Sequence, residues 1–317
     1  MIAESPRPSV LLTRRIPSSV LARLEAVCNV EVPEGSRALD EPELARRVAG
    51  KQGLISVLTD PVTSAVLDAG TTLAVVANIA VGFNNIDVAH ARRRGIVVTN
   101  TPDVLTEATA ELTWALILTA VRRLSEGERI VRRGQWRGWT LEFLLGMELR
   151  GKQLGVIGRG RIGRAVAAKA PAFGMRAVFA ARSGRSTVSD ELSLDELLVS
   201  SDVITLHTPL TQDTRHLIDR RALARMKRSA FLVNTSRGPV VDEEALAWAL
   251  RERLIAGAAL DVYEREPEIV PELLAMENVV LAPHLGSATR ETRTAMIDLA
   301  VNNVLAVLQG RPPLTPV

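Results

Sequence analysis

The stretch KQLGVIGRGRIGRAVAAKA, residues 152 to 170, constrains the fold of this chain more than any other. Its glycines, Gly158, Gly160 and Gly163, form the pattern G-x-G-x-x-G between a buried β-rich run, QLGVI, and a helical run, RIGRAVAAKA. In this context the glycines let the backbone approach a pyrophosphate, and the free N–H groups at the helix start face the phosphates. The alternative is a tight strand-to-helix turn without a ligand. We expect a dinucleotide-binding unit that starts near the middle of the chain.

A complete α/β pattern precedes this loop, which explains its central position. Runs such as SVLLTR, GLISVLT, LAVVANIAV and IVVTN alternate with helical segments, and the alternation continues after the loop through RAVFAA, DVITLHT, AFLVNTS, AGAALDV and VVLAPH. This alternation is typical of α/β folds with parallel sheets. A long helix is predicted to begin near Thr106, and ATRETRTAMIDLAVNNVLAVLQG predicts a final helix long enough to return to the first unit.

These patterns predict an α/β protein with two doubly wound domains. A Rossmann dinucleotide-binding domain, residues 101–285, is expected to be inserted into a flavodoxin-like substrate domain made of residues 1–100 and 286–317. The inserted part would also contain a dimerisation helix and an arm. We expect a ligand to lie in the cleft between the two domains.

Composition excludes several classes of function. The 39 basic residues are dispersed along the chain and aromatic residues make up only 3%, which disfavours a nucleic-acid surface. Cys28 is the single cysteine and there are four histidines, so neither a disulfide framework nor a metal site is expected. No run approaches the roughly 18 apolar residues of a membrane helix, and the N-terminus lacks the features of a signal peptide. We expect a cytoplasmic enzyme that does not bind a membrane.

The region after the second strand of the dinucleotide unit bears on the choice of cofactor. NAD-binding units place an acidic residue there to accept hydrogen bonds from the ribose 2′-hydroxyl. Here Ala181 stands at that position and is followed by Arg182, Ser183 and Arg185. Guanidinium groups can bind a 2′-phosphate in a bidentate manner. The segment therefore favours NADP(H), with NAD(H) also possible, although a solvated basic loop would have the same composition.

Three residues of the types needed for keto-acid reduction follow predicted strands. Arg237 lies in NTSRGPVVD, Glu266 in LDVYEREPEI and His284 in VVLAPHLGSA. Such chemistry needs a proton donor, a positive group for the carboxylate and carbonyl, and a partner that keeps the donor charged. Individually, the three could be a surface arginine, a loop acid and a turn histidine. Together, behind a dinucleotide loop, they favour a catalytic site.

The remaining histidines are weaker candidates for the proton donor. His90, His207 and His216 are not expected to have an acid and an arginine placed as they are around His284.

The order of motifs along the chain resembles the D-isomer-specific 2-hydroxyacid dehydrogenases, and most of all their glyoxylate and hydroxypyruvate reductase branch. The resemblance covers nearly the whole chain through ANIAVGFNNIDV, GIVVTNTPDVLTEATAEL, GVIGRGRIG, HTPLTQDTRHLI, NTSRGPVVDE, GAALDVYEREP and LAPHLGSAT. It implies an NAD(P)-dependent reductase that acts on a small 2-keto acid.

The resemblance also implies roles for individual residues. Arg237 would hold the substrate carboxylate and carbonyl, His284 would act as acid and base, and Glu266 would hydrogen-bond the imidazole and favour its charged form. Val81 and Gly82 would present backbone N–H groups to the carboxylate. The implied cofactor contacts are the glycine-loop residues Gly158, Gly160, Arg161, Ile162 and Gly163, the strand-end residues Thr208, Pro209, Thr235, Asp261 and Gly286, and Thr109 on the long helix. Thr235 would approach the nicotinamide and Asp261 would hold its carboxamide.

A homodimer is implied by the segment of residues 101 to 150. Its long apolar helix precedes an arm with Trp136 and Trp139 in a chain that is otherwise poor in aromatic residues. In this branch Trp139 matches a position that can enter the partner's active site. The proline common two residues later is Leu141 here, so ordinary interface packing is an equal alternative for Trp139.

Three other functions remain as alternatives. Phosphoglycerate dehydrogenases share the family pattern, but the turn VGFNNID brings no extra basic group for a substrate phosphate. Oxidation of formate or phosphonate is a further enzymatic alternative. A dinucleotide-sensing corepressor-like scaffold belongs to a different class, and its usual long tail is not expected here.

Overall fold

The computed structural model describes residues 7–35, 37–181 and 189–317. The chain divides into two compact units, Met1–Leu105 with Thr289–Val317, and Thr106–Ala288. We call them the first and the second unit.

The first unit contains a five-stranded parallel sheet in the order β2-β1-β3-β4-β5. Its strands are β1 (Ser9–Leu12), β2 (Asn29–Glu31), β3 (Gly53–Val57), β4 (Val75–Ile79) and β5 (Val97–Thr99). Its helices are α1 (Ser18–Glu25), α2 (Glu41–Val48), α3 (Ser64–Ala69), α4 (Val88–Arg93) and α12 (Arg290–Leu308). This strand order is that of flavodoxin-like sheets.

The C-terminal helix α12 covers one face of this first sheet. Thr289 caps its start by accepting the backbone N–H of Thr292 at 3.1 Å. Ala300, Val301 and Val304 of α12 are buried against apolar side chains of β1, β3 and β4. The burial of this helix places the last segment of the chain in the same unit as the first.

The second unit contains a seven-stranded parallel sheet in the order β12-β11-β10-β9-β6-β7-β8. The strands are β6 (Gln153–Ile157), β7 (Arg176–Ala180), β8 (Glu191–Leu192), β9 (Val203–Leu206), β10 (Phe231–Asn234), β11 (Gly257–Leu260) and β12 (Val279–Leu281). The helices are α5 (Thr106–Val121), α6 (Leu124–Arg132), α7 (Arg161–Lys169), α8 (Leu194–Ser200), α9 (Arg220–Arg225), α10 (Glu243–Arg251) and α11 (Pro271–Leu274).

This second sheet has the Rossmann strand order, extended by one strand at the β12 edge. The chain reverses direction across the sheet between β6 and β9, and ligands bind at such a switch point, outside the carboxyl ends of the strands. Two layers of buried aliphatic side chains pack on the two faces of the sheet. The predicted doubly wound α/β architecture is confirmed.

The described residues were searched for membrane-spanning helices and for metal-binding groups of side chains. No helix in that part of the chain is long and apolar enough to cross a membrane. Within residues 7–35, 37–181 and 189–317, no group of three His, Cys, Asp or Glu side chains could hold a metal ion.

Candidate active site

The glycine loop has the geometry of a pyrophosphate cradle. Gly158 has a φ of +106°, and a Cβ atom there would lie 2.5 Å from the carbonyl oxygen of His207. A Cβ on Gly163 would overlap the carbonyl oxygen of Gly158, so α7 packs closely on the loop. Gly160 caps α7, and a Cβ there would meet nothing within 4 Å. The helix N-terminus is therefore open to an anion, and these residues fit a dinucleotide pyrophosphate.

The residue between the first two glycines joins the loop to the far edge of the sheet. The Arg159 guanidinium donates to both carboxylate oxygens of Asp190 at 3.0 and 3.1 Å, and to Glu191 at 2.6 Å. It also lies 4.7 Å from the ring centroid of Phe179, near the end of β7. Arg159 is not among the residues predicted from the sequence, although its position between the first two glycines of the motif is a signal that could have indicated it.

The predicted cofactor-selecting segment is described only at its start. Ala181 donates its backbone N–H to the carbonyl of Leu192 at 2.7 Å, which extends the pairing of β7 with β8. Arg182, Ser183 and Arg185 lie outside the described residues.

Arg237, Glu266 and His284 follow β10, β11 and β12, which are adjacent strands of the sheet. His284 Nδ1 and Glu266 Oε2 are 2.8 Å apart, and each side chain is 26% exposed. Burial alone would raise the pKa of Glu266, but the hydrogen bond and charge of His284 bring that pKa below its ordinary value. The backbone N–H of Tyr263 donates to the other Glu266 oxygen at 3.1 Å and acts in the same direction.

A buried carboxylate holds the loop that carries His284. Asp261 is fully buried and accepts the backbone N–H groups of Leu285 at 2.6 Å and Gly286 at 2.8 Å. Thr109 donates to the carbonyl of Gly286 at 3.0 Å. Burial raises the pKa of Asp261, and the two backbone N–H groups oppose that rise. In this structure Asp261 therefore positions the loop with both of its oxygens.

The backbone of His284 is held in an unusual conformation. Its φ is +56°, in the left-handed region, and its N–H donates to the carbonyl of Asp261 at 3.0 Å. Such backbone conformations are concentrated at functional sites, where the surroundings over-determine them. The ring uses Nδ1 for Glu266, and Nε2 has no hydrogen bond to another residue in the described part of the chain. Nε2 is thus the nitrogen available to a substrate.

Arg237 lies on a loop that is in close backbone contact with the loop of Glu266. A Cβ on Gly238 would overlap the carbonyl group of Tyr263, so only glycine permits this approach. Arg237 donates to the carbonyl of Ser236 at 2.8 Å. Burial lowers the pKa of Arg237 and the charge of Glu266 opposes the change. An arginine remains cationic throughout the working pH range of proteins.

The other expected cofactor residues of the second unit lie at the same carboxyl edge or beside it. Thr235 follows β10, and its Oγ1 is 3.0 Å from that of Thr113 on α5. Thr208 follows β9, and its backbone nitrogen would lie 2.9 Å from a Cβ on Gly158. Pro209, Arg161 and Ile162 complete this set, the last two in the first turn of α7.

Val81 and Gly82, the predicted carboxylate-binding turn, belong to the first unit and follow β4. Asn100 donates to the carbonyl of Val81 at 2.7 Å, and Asn78 donates to that of Gly82 at 3.0 Å. Two asparagine side chains therefore fix the orientation of these peptide groups.

Trp139 lies on an exposed apolar segment, which we call the arm (residues 122–148). The side chain of Trp139 is 78% exposed and that of Trp136 is 55% exposed. The other exposed large apolar residues of the arm are Leu124, Val131, Leu141, Phe143 and Leu145.

Two of the three remaining histidines, His90 and His216, also have acidic and basic neighbours. His216 Nε2 is 2.6 Å from Glu264, with Arg215 at 3.8 Å from the same carboxylate oxygen. His90 Nε2 is 2.8 Å from Asp68, which also binds Arg94. These acids are 48 and 22 residues away in sequence, so only the fold shows the pairs.

His207 has the opposite environment. The residue is half-buried, with Nε2 2.9 Å from Thr205 Oγ1, and its enclosed Nδ1 has no partner among the described residues. Burial lowers its pKa to about 3. His207 is therefore neutral at physiological pH and is excluded as a proton donor.

The Rossmann sheet, the open glycine loop and the His–Glu pair at the strand ends together define a dinucleotide-dependent dehydrogenase. Residues 114–286 match the family model described as "D-isomer specific 2-hydroxyacid dehydrogenase, NAD binding domain". The chain belongs to the D-isomer-specific 2-hydroxyacid dehydrogenase family, and it is an NAD(P)-dependent dehydrogenase.

Individual relatives extend the similarity over almost the whole chain. A glyoxylate reductase from Aeropyrum pernix is 48% identical, covering 97% of this chain and 95% of the relative. A Thermus thermophilus protein of known structure is 49% identical, with a TM-score of 0.92 over 98% of this chain and 99% of the other. The NADPH-dependent glyoxylate/hydroxypyruvate reductase of Sinorhizobium meliloti, in complex with NADP and malonate, is 36% identical with a TM-score of 0.87, covering 98% and 97%.

Proposed function

We propose that this protein reduces glyoxylate, and also hydroxypyruvate, to the 2-hydroxy acid with NADPH. The observation that carries the proposal is the His284–Glu266 pair next to the Arg237 loop, at the carboxyl edge of a sheet with an open glycine loop. The relatives named as glyoxylate reductases, between 42% and 48% identical, support the choice of substrate.

Each of the three residues has a separate task in the proposed reaction. Arg237 binds the substrate carboxylate and polarises the adjacent carbonyl, because a guanidinium can contact both oxygens. His284 in its charged form donates a proton from Nε2 to the carbonyl oxygen, while Glu266 holds Nδ1–H and stabilises the imidazolium. When bound, the reduced nicotinamide supplies the hydride to the carbonyl carbon. The proton and the hydride together convert the 2-keto acid into the 2-hydroxy acid.

The proposal gives the remaining site residues two tasks. The dinucleotide is held by the glycine loop, by Thr109 on α5 and by Thr208, Thr235 and Gly286, which follow strands of the second sheet. The backbone N–H groups of Val81 and Gly82 bind the substrate carboxylate. Two copies associate through the arm, and the single cysteine, Cys28, is in keeping with a cytoplasmic location.

Preference for NADPH is the finer part of the proposal. It rests on three observations. Residue 181 is an alanine where NAD-binding units have an acidic residue, arginines follow it in the sequence, and a relative of known structure is NADPH-dependent. A carboxylate at Ala181 would repel a 2′-phosphate, and its absence removes that repulsion.

An initial-rate panel tests the proposal. Glyoxylate, hydroxypyruvate, pyruvate and 3-phosphohydroxypyruvate are each assayed with NADPH and with NADH. We expect the highest kcat/KM for glyoxylate or hydroxypyruvate. We also expect kcat/KM to be about tenfold or more higher with NADPH than with NADH, since charge-assisted contacts to the phosphate contribute roughly 1.5 to 3 kcal/mol each.

Other outcomes of the panel identify the alternatives. The highest kcat/KM for 3-phosphohydroxypyruvate would make the protein a phosphoglycerate dehydrogenase. Cofactor binding without turnover of any substrate would favour the scaffold function.

A further inference from the structure

The loop that carries Glu266, residues 263–270, is attached to a buried carboxylate that has no part in the proposed chemistry. Glu243 is the first residue of α10 and is only 3% exposed. Its Oε1 accepts the backbone N–H of Glu264 at 2.5 Å. Burial raises the pKa of Glu243, and the backbone N–H groups of Glu264 and Val270 oppose that rise. The carboxylate therefore interacts with both ends of the Glu266 loop.

A buried carboxylate in this place is costly unless its hydrogen bonds are satisfied. The neighbouring Glu244 on the same helix is exposed and has no such bond in the described structure. The two adjacent glutamates therefore differ in role: Glu243 binds the loop, whereas Glu244 faces solvent.

The contacts connect Glu243 to the catalytic pair in two steps. Glu243 holds the N–H of Glu264; one residue before it, the N–H of Tyr263 donates to Glu266 Oε1 at 3.1 Å. Glu266 Oε2 in turn binds His284 Nδ1 at 2.8 Å. The backbone of Tyr263 and Glu264 also lies in close contact with Gly238, which restricts the movement of the loop.

We propose that Glu243 is a positioning residue that holds Glu266 against His284 and thereby keeps the proton donor charged. The proposal rests on the roles given above to Glu266 and His284. It assigns Glu243 no contact with substrate or cofactor.

Several charged groups surround these residues and belong to the argument. Glu264 and Arg265 act on Glu243, and His216 and Arg215 face Glu264. Arg237 and Asp261 act electrostatically around Glu266 and His284. None of these groups is altered by the variants chosen below.

The decisive experiment compares Glu243→Gln with Glu244→Gln as the matched control. Glutamine keeps the size of the side chain, but it can accept only through one atom, so the loop loses part of its attachment. We expect kcat to fall about three- to thirtyfold, with KM changed less than about threefold. A misplacement of about 1 Å can cost roughly 100-fold, and the loss of one contact of the loop should displace Glu266 by less than that. E244Q should match the unaltered enzyme.

The pH profile separates positioning from simple stability. In the reductive direction the donor must be charged, so weaker contact with Glu266 should move the alkaline limb of the kcat profile to lower pH in E243Q and in E266Q. The double variant E243Q/E266Q should show the same limb as E266Q alone, since both changes act through one contact. Glu243→Asp, which restores the charge, should move the limb part of the way back.

Three results would overturn the proposal. One is that the alkaline limb of the kcat profile lies at the same pH in E243Q as in the unaltered enzyme, even if E243Q has a lower melting temperature. Another is full multiplication of the two rate losses in the double variant. If E243Q does not fold, Glu243→Met, which has a similar size and removes the carboxylate, takes its place, and an unshifted alkaline limb with a normal kcat in E243M has the same meaning. If E266Q itself has a normal pH profile, the role of Glu266 fails first, and the two failures are thereby distinguished.

Discussion

His284 differs from His90 in its position in the fold. His90 also has a carboxylate partner at 2.8 Å, but it lies on α4 of the first unit. His284 instead follows a strand of the Rossmann sheet and has Nε2 available. A carboxylate partner alone therefore does not single out a histidine in this chain. The proposal favours His284 because it combines such a partner with an available Nε2 at the carboxyl edge of the second sheet.

Replacement of His284 by alanine is expected to lower kcat by roughly 10²- to 10⁴-fold, because a positioned proton donor contributes about that much. Steady-state rates give kcat, and a fluorescence titration with NADPH shows whether cofactor binding survives. The matched control is His90→Ala, which removes a His–Asp pair of the same length and should leave kcat unchanged. Turnover within a few-fold of normal in H284A would exclude His284 as the donor.

At the scale of elements, the end of β7 and the glycine loop are joined by one arginine. Arg159 links that loop to the carboxylates of Asp190, which precedes β8, and Glu191, the first residue of β8. In a Rossmann fold this corner faces the ribose of the adenosine half of the dinucleotide. Its charge balance should therefore affect the choice between NADPH and NADH.

Arg159→Leu is expected to lower the ratio of kcat/KM for NADPH to that for NADH by about three- to thirtyfold, because the two carboxylates it uncovers repel the 2′-phosphate. Adding Asp190→Asn and Glu191→Gln should restore the ratio. Arg176→Leu, at the exposed amino end of β7, is the control. A ratio that stays constant in R159L, at low as well as high salt, would show that this cluster does not influence the cofactor.

The arm is a second element of interest, because its surface exposes many apolar side chains. Seven large apolar side chains between Leu124 and Leu145 are exposed, and contiguous exposed apolar surface marks interaction sites. We expect light scattering at micromolar concentration to give twice the chain mass of 34.3 kDa. Trp139→Ser combined with Leu145→Ser should shift the mass towards the monomer.

The control for the arm is Leu314→Ser, which alters an apolar residue that is 54% exposed elsewhere on the surface. It should leave the mass unchanged. A monomer in the unaltered protein would contradict the homodimer, and a dimer that tolerates both arm substitutions would place the interface elsewhere.

At the scale of the whole molecule, His207 makes folding stability depend on pH. Its pKa is about 3 in the folded protein, against about 6.5 in an unfolded chain. Below pH ~6.5 the unfolded chain takes up a proton that the folded protein does not, so stability falls as the pH drops towards 3. Above that range the group has no effect on the slope.

Reversible urea unfolding at pH 7 and pH 5 measures this dependence. We expect His207 to contribute about 2 kcal/mol of the stability lost between these two values. His207→Gln should be less stable than the unaltered protein at pH 7, because glutamine does not fill the space of the imidazole ring. Its stability should change less between pH 7 and pH 5. An equal change in both proteins would show that His207 is not the group responsible.

The arrangement of the elements could be predicted from the sequence to a large extent. The alternation of strands and helices is a local property, since it depends on residues a few positions apart, and it predicted the doubly wound sheets. The glycine pattern predicted the loop between β6 and α7, because only glycine permits the close contacts at Gly158 and Gly163. The positions of Arg237, Glu266 and His284 after their strands followed from the same local patterns.

The partners of individual side chains could not be predicted in this way. Which carboxylate meets which histidine depends on the order of strands in the sheet and on the paths of loops, and these bring together residues as distant as His216 and Glu264. The same holds for Arg159 with Asp190, and for Glu243 with the Glu266 loop. The sequence by itself determined the elements and the edge of the sheet at which chemistry is possible; the tertiary structure decided the contacts there, because a hydrogen bond depends on distances of about 3 Å and not on spacing along the chain.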